Sequence, residues 1–382
     1  MERKKIAYIS GTRADFGLMT PVLKAIQESS ALSLRVYATG MHLMPEFGET
    51  VKEVERVFPE AERIEAVFEG EGKSAQAKFA GALLPKVVFA FIKERPDFVI
   101  LLGDRVEMLV VATACLYLGI PTGHLHGGER TGNVDELARH AISKMASLHF
   151  TATADSAERL KKMGEDAWRV EIVGAPALDT IVRDTLPTRV EVCAKLSLNP
   201  AEPFILVVQH GVSEEEKDAG NQMATILSAV KSFELPVVII YPNTDPGGER
   251  IISEIEKERE NPRVRIVKNL PHTDFLALLR ETAVWVGNSS GALIESSSFG
   301  TPVVNVGTRQ KGRVRGENVI DVGYEEVELQ KAIEKSLSDE SYKAHLGTIK
   351  NPWGDGHTGE KVAKILENLP ATEKLLSKQI AY

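Results

Sequence analysis

Several short stretches carry side chains that fit chemistry, and each follows an apolar run. Asp104-Arg105 follows "DFVILLG" (97–103). An acid beside a base reads either as a mutual surface salt bridge, which contributes little, or as a proton-transfer carboxylate next to a cation for an anionic group. His124, His126, Glu129 and Asp135 lie in or just behind "IPTGHLH" (120–126). Their spacing matches no recognised metal-ligand pattern, so no metal is expected. His, Asp and Glu together supply proton donors and acceptors near neutral pH, which favours acid–base catalysis. His124 fits equally a hydrogen-bonded histidine of the core. His210 follows "PFILVVQ" (203–209), and Asn243-Thr244-Asp245 follows "PVVIIYP" (236–242). Arg13, behind "KIAYIS" (5–10), either reaches a phosphate with its planar guanidinium or is an exposed surface arginine.

The stretch "VWVGNSSGALIESSSFG" (284–300) turns from an apolar run into Asn288-Ser289-Ser290-Gly291 and then a helix-like segment. A helix start leaves unpaired backbone N–H groups at the positive end of its dipole. One serine suffices for a cap. Two serines and Gly291 offer more donors and a closer backbone approach than a cap uses, which suits a phosphate. Glu295, about one turn further in, would repel a phosphate but accept hydrogen bonds from sugar hydroxyls. That division suggests a nucleotide diphosphate. Arg309, Lys311, Arg313 and Arg315 in "GTRQKGRVRGENVID" (307–321) form either a solvated basic loop or an addition to the same anion site.

The elements that must hold these groups are legible in the alternation of short apolar runs with amphipathic segments. Strands are expected at 5–10, 32–39, 97–103, 120–126, 203–210, 236–242, 263–269, 283–288 and 302–307. They are β-rich and bounded by Gly, Pro or polar loops. Helices are expected at 18–28, 77–94, 221–233, 273–281 and 359–369. Strand–helix alternation implies parallel sheets with crossover helices. The expected fold is therefore α/β, with two Rossmann-like doubly wound domains facing a cleft. The first covers 1–178 and carries the acid–base residues. The second covers 200–357 and binds the nucleotide. The proline-marked stretch 175–203 is the hinge, and 358–382 is a C-terminal helix packing back on the first domain. Ligands in such sheets bind beyond the carboxyl ends of the strands.

Composition narrows the function classes. A chain of 382 residues fits two domains. Its 43% hydrophobic and 26% charged residues are ordinary for a globular protein. A net charge of −8 argues against a non-specific nucleic-acid binder. Cys115 and Cys193 are the only cysteines, which fits a reducing cytoplasm. The apolar run at the N-terminus is too short for a signal peptide, and no unbroken run of 18 apolar residues occurs. Neither membrane nor nucleic acid is expected as a partner. The segment 11–17 is not G-x-G-x-x-G, so no nicotinamide or flavin cofactor is expected.

The stretches "SGTRADFGLM", "LLGDRVE", "HLHGGERTGNVDELARHAISKMASLHF", "PNTDPGG", "GNSSGALIE", "GTRQKGRVRGENVIDV" and "GDGHTGEKVAKIL" resemble the hydrolysing UDP-N-acetylglucosamine 2-epimerases, nearly end to end and in the same order. The resemblance implies the two-domain architecture called GT-B. It implies conversion of UDP-N-acetylglucosamine to UDP and N-acetylmannosamine for sialic-acid-type sugars, by a homodimer or homotetramer. The C2 proton of a sugar is not acidic, so epimerisation needs oxidation or loss of the anomeric group. The missing nicotinamide fingerprint favours elimination to a 2-acetamidoglucal, followed by water addition.

By resemblance Asp104 and Asp135 are catalytic carboxylates, and His210 lies near the leaving diphosphate. Arg13, Arg105, Ser289, Ser290, Gly291 and Glu295 belong to the nucleotide site, with Asn243 and Arg313. The chain departs from the pattern at His126, where several members carry a catalytic Glu. His126 is expected to act there as general acid or base, with Glu129 orienting it. Three other readings share the nucleotide site. One is a non-hydrolysing epimerase, another an epimerase for UDP- or GDP-linked 2,4-diacetamido sugars, and the third a GT-B glycosyltransferase. A non-catalytic sugar-nucleotide sensor would bind UDP without turnover.

Overall fold

The computed structural model describes residues 3–69, 72–130, 134–242 and 246–381, without the side chains of 46, 72, 73, 134 and 135. The chain forms two compact units, Met1–Asp179 with Trp353–Tyr382, and Thr180–Pro352. The segment 180–199, expected as hinge, is part of the second unit, and 353–357 belongs to the first. The reason is local. Val192 and Cys193 bury among residues of the second sheet, while the Trp353 carbonyl accepts from the Ala175 N–H at 2.7 Å.

The first unit is built on seven parallel strands. These are β1 (Lys4–Ser10), β2 (Leu32–Ala38), β3 (Glu62–Arg63), β4 (Phe98–Leu102), β5 (Thr122–Leu125), β6 (Leu148–Thr151) and β7 (Val170–Ile172). Their order is β3-β2-β1-β4-β5-β6-β7. The helices between them are α1 (Arg13–Glu28), α2 (Val51–Val57), α3 (Gly72–Lys93), α4 (Val106–Leu118), α5 (Val134–Met145) and α6 (Ala154–Lys162). Strand side chains alternate between faces. Ile6 and Tyr8 therefore join Phe16, Met19, Val22 and Ile26 of α1 on one side. Ala7 and Ile9 join Phe79, Leu83, Val87 and Phe91 of α3 on the other. Each of the larger side chains contributes about 1.5–3 kcal/mol on full burial.

The second unit has six parallel strands. These are β8 (Ile205–Val208), β9 (Val237–Ile240), β10 (Val264–Val267), β11 (Val284–Gly287), β12 (Val303–Val306) and β13 (Val319–Val322), in the order β10-β9-β8-β11-β12-β13. Its helices are α7 (Asp179–Arg183), which starts at the crossing, α8 (Arg189–Lys195), α9 (Ala219–Lys231), α10 (Gly248–Glu256), α11 (His272–Glu281), α12 (Ser290–Ile294), α13 (Glu326–Ser338) and α14 (Glu340–Leu346). The chain then returns to the first unit with α15 (Thr358–Glu367) and α16 (Thr372–Leu376). There α15 lies on α1, and its Val362, Ala363 and Leu366 enter the same core as Val22 and Ile26.

Every apolar run expected as a strand is one. Among the described residues, α3 is long and apolar enough to cross a membrane by composition, with mean hydropathy 1.4 over Ser74–Lys93. Lys78 and Lys86 interrupt the run without lowering that mean far, which is why no unbroken stretch of 18 marks it. Its Phe79, Leu83, Val87 and Phe91 form an i, i+4 row that is buried in the first unit, as a core helix requires.

Candidate active site

Strand order decides where the polar loops gather. In each sheet the order reverses once, between β1 and β4 in the first and between β8 and β11 in the second. Doubly wound sheets bind ligands beyond the carboxyl ends at such a reversal. The loops there are Gly11–Arg13 and Gly103–Arg105 in one unit, and Gln209–His210 and Asn288–Ser290 in the other.

In the first unit, Asp104 and Arg105 do not pair with each other. The Asp104 carboxylate accepts from Arg139 Nη2, and Arg139 Nη1 donates to the His126 carbonyl at 2.7 Å. Arg105 instead donates to the buried Glu107 carboxylate at 3.0 and 3.2 Å. Arg139 thus clamps the ends of β4 and β5 together. It was not singled out from the sequence. Its only signal is a place four residues after Asp135 on one helix, where side chains share a face.

His126 and Glu129 are in contact, with Nδ1 against Oε1. His126 has φ +59°, a left-handed backbone uncommon for a non-glycine residue. Such outliers concentrate where surrounding structure fixes a functional group. The Gly127-Gly128 pair between His126 and Glu129 is closely packed. A Cβ on Gly127 would lie 2.9 Å from His124 Nδ1, and one on Gly128, at φ +77°, would lie 2.5 Å from the Ser156 carbonyl. Arg159 also donates to the Gly128 carbonyl at 2.6 Å.

His124 is fully buried between Ser143 Oγ, 3.0 Å from Nδ1, and the Gly103 carbonyl, 2.7 Å from Nε2. Burial pushes its pKa down to about 3, so it is a neutral tether within the core. Asp135 lies in the first turn of α5, and its side chain falls outside the described residues. Arg13 begins α1 behind the Thr12 cap and is largely exposed, 3.3 Å from Glu53.

Asp15, inside the quoted "GTRADFG", also went unassigned. It is buried and accepts from the N–H groups of Gly11 and Thr12 at 3.0 and 2.9 Å, and from Ser10 Oγ. Burial pushes its pKa up to about 6, against these hydrogen bonds. The Thr12-x-x-Asp15 spacing of a capping box was its signal.

In the second unit, Asn288 is the hub. It is fully buried, its Oδ1 accepts from the His210 N–H at 2.7 Å, and its Nδ2 donates to the His210 carbonyl at 2.9 Å. Gln310 Nε2 donates to the Asn288 carbonyl at 2.8 Å. His210 and the 307–317 loop are thereby fixed against the end of β11. Ser289 is the N-cap residue of α12, yet its side chain makes no capping hydrogen bond.

The helix behind it is short, five residues, and tightens into a 3₁₀ turn at Ser296–Phe299. Ser296 Oγ there bonds back to the Ala292 carbonyl and accepts from Asn318. Glu295 turns its carboxylate over Gly291, where a Cβ would lie 2.7 Å from Oε2. It also meets His272 Nε2 at 3.2 Å. Burial lowers the His272 pKa, but the Glu295 bond and charge outweigh it and leave it raised. His272 went unrecognised because it lies 23 residues from Glu295 in the chain.

Arg313 Nη1 donates to Gln310 Oε1 at 3.2 Å, whereas Arg315 pairs with Asp321. Asn243 lies outside the described residues. Among the described residues no group of three or more His, Cys, Asp or Glu side chains is arranged to hold a metal.

The family model for UDP-N-acetylglucosamine 2-epimerase matches residues 24–367. The chain belongs to this epimerase family. It is 38% identical over 380 residues to the UDP-N,N'-diacetylbacillosamine 2-epimerase (hydrolyzing) of Legionella pneumophila, covering 99% of this chain and 100% of that protein. It is 33% identical to a UDP-N-acetylglucosamine 2-epimerase of Neisseria meningitidis, covering 96% and 95%. The crystal structure of a Neisseria meningitidis UDP-GlcNAc 2-epimerase bound to UDP-GlcNAc superimposes with a TM-score of 0.79. That comparison covers 96% of this chain and all of that one, at 20% identity, so it establishes a shared fold. The epimerase fold here is the GT-B-like pair of Rossmann-like domains. In this member the strand-end carboxylate, Asp104, and the strand-end histidine, His126, are both tied to Arg139, one through its side chain and the other through its carbonyl.

Proposed function

We propose that this epimerase is hydrolysing and acts on a UDP-linked 2-acetamido sugar. The observation that carries the reading is the pair of proton-transfer groups, Asp104 and His126, held together by Arg139. Inversion at C2 removes a proton from one face and returns one to the other, so two groups are required. In the first half-reaction one of them takes the C2 proton. The C1–O bond to UDP breaks, its electron pair leaves with UDP, and a C1=C2 double bond forms. In the second half-reaction water adds its oxygen to C1, its released proton replacing the one that the other group delivers to the opposite face of C2, and the proton taken first passes to solvent. Nucleotide sugar and water become UDP and the free 2-epimeric sugar. Glu129 orients the His126 ring, and Asp135 joins this set.

In the second unit, Ser289, Ser290 and Gly291 receive the diphosphate, and His210 stands beside it. Glu295, supported by His272, holds ribose. Asn243 and Arg313 complete the nucleotide site of this unit, and in the first unit Arg13 and Arg105 are cations for an anionic group of the substrate. Fixed donors aimed at a developing negative charge are among the strongest catalytic contributions.

Two sugars are favoured by specific similarity. UDP-N,N'-diacetylbacillosamine comes first, from the full-length likeness to the Legionella enzyme. UDP-N-acetylglucosamine, giving N-acetylmannosamine for sialic-acid-type sugars, comes second, from the Neisseria relative. The deciding experiment incubates the protein with both, and with GDP-linked analogues, in heavy water. Mass spectrometry then follows the products. The expected result is UDP plus a free sugar carrying one deuterium at C2. A nucleotide-linked epimer would mean a non-hydrolysing enzyme, and transfer to an acceptor without deuterium would mean a glycosyltransferase.

A further inference from the structure

The chain ends in a segment that reaches into the first unit behind α5. Lys378, near that end, has a side chain only 15% exposed. Its ammonium donates to the carbonyls of Ser143, Lys144 and Ala146 at 3.0, 2.9 and 2.8 Å, and lies 2.7 Å from the fully buried Glu165 carboxylate. Two of those carbonyls, of Ser143 and Lys144, are orphan acceptors of the last turn of α5, and the third, of Ala146, follows directly behind it, where a cation is favoured. Glu165 is also bonded by Lys144 at 2.7 Å and by His149 at 2.9 Å. His149 is the register partner of His124 on the neighbouring strand, so both rings stand on one face of the sheet.

From this anchored turn, contacts run unbroken toward the reacting groups. Ser143, whose carbonyl Lys378 holds, places its Oγ on His124, and His124 reaches the Gly103 carbonyl next to Asp104. One helical turn further along α5, Arg139 grips Asp104 and the His126 carbonyl. Arg139 and Ser143 are four apart, on one face of the helix. Lys378 therefore meets the end of α5 about 6–10 Å from Arg139 along the helix, at 1.5 Å per residue.

We infer that Lys378 is a positioning residue for Asp104 and His126, acting through α5. Removing its ammonium frees the last turn of the helix. The helix can then slide or fray, and Arg139 loses its fixed placement at the strand ends. The chain terminus thereby tunes the proton-transfer pair without touching substrate. This inference rests on the roles proposed for Asp104 and His126.

The test compares Lys378→Met and Lys378→Arg with the wild-type protein, as full chains. The fraction with a folded first unit is counted by its resistance to limited proteolysis, so that kcat refers to folded molecules. The expected result is a kcat about 10–100-fold lower in Lys378→Met. KM stays within about threefold, since Lys378 touches none of the groups proposed to bind nucleotide, and Lys378→Arg restores most of the loss. A Lys378→Met kcat within threefold of wild type overturns the inference, and so does a loss of activity that vanishes once the rate is expressed per folded molecule. A second measurement needs no turnover. Amide hydrogen exchange over 139–145 should quicken at least tenfold in Lys378→Met while α9 is unchanged, because exchange reports local opening. Unchanged exchange over 139–145 likewise overturns the inference. If the wild-type protein turns over no nucleotide sugar, the proposed function fails, and the exchange experiment still decides whether Lys378 holds α5.

Discussion

At the scale of single residues, the proposed proton-transfer and binding roles should separate by substitution. Asp104→Asn keeps an oxygen for Arg139 but removes the carboxylate. Turnover should fall by roughly 10²–10⁴, the usual worth of a general acid or base, with KM nearly unchanged in steady-state kinetics. Ser290→Ala should instead weaken UDP binding by roughly tenfold, as for one hydrogen bond to a charged group. Calorimetry showing unchanged UDP affinity would remove Ser290 from the diphosphate site. Both residues stand out in the sequence because each follows a strand, where a doubly wound sheet places its ligand. Arg139 and His272 were not, because their partners are set by three-dimensional packing. Arg139 meets Asp104 across 35 residues of chain, and His272 meets Glu295 across 23. Hydrophobic periodicity says nothing about either pairing.

At the scale of elements, the loop behind β5 and the last turn of α5 make distinct predictions. Gly128→Ala puts a methyl 2.5 Å from the Ser156 carbonyl at a left-handed φ. A backbone clash of this kind costs about 1–3 kcal/mol, or a Tm lower by about 2–10 °C for a unit of this size. Differential scanning calorimetry reads it directly. Behind α5, burial alone would raise the Glu165 pKa, but hydrogen bonds from His149, Lys144 and Lys378 outweigh it and hold the value near 2. A carboxylate whose folded pKa lies below its ordinary 4.5 adds stability that is complete above that pH and fades as pH falls toward 2. Thermal unfolding followed from pH 6 to pH 2 should show this decline, and Glu165→Gln should flatten it while lowering Tm at neutral pH. The apolar runs at sheet centres announced their strands. β3, β6, β7 and β13 escaped notice because they have two to four residues and carry polar side chains such as Glu62, His149, Glu171 and Asp321. Pairing with an existing edge, rather than propensity, makes such segments strands.

At the scale of the whole molecule, the first unit is discontinuous, and its core is unfinished without the end of the chain. Val362, Ala363, Leu366 and Leu375 belong to the cluster that also holds α1 and β1. Deleting everything after Pro352 removes these side chains, each larger one worth about 1.5–3 kcal/mol. Their sum is comparable with the 5–15 kcal/mol by which domains are stable at all. A chain ending at Pro352 should therefore keep a folded second unit while its first 179 residues become protease-sensitive, as limited proteolysis with mass spectrometry would show. The same discontinuity orders events during biosynthesis. A ribosome adding ~5–20 residues per second needs on the order of 10–35 s to pass from Asp179 to Trp353. Throughout that interval the nascent chain presents the uncovered flank of α1, while the contiguous second unit can close as soon as its own strands emerge. The half of the protein translated first is thus the half that matures last, and in that window it is the natural client of chaperones.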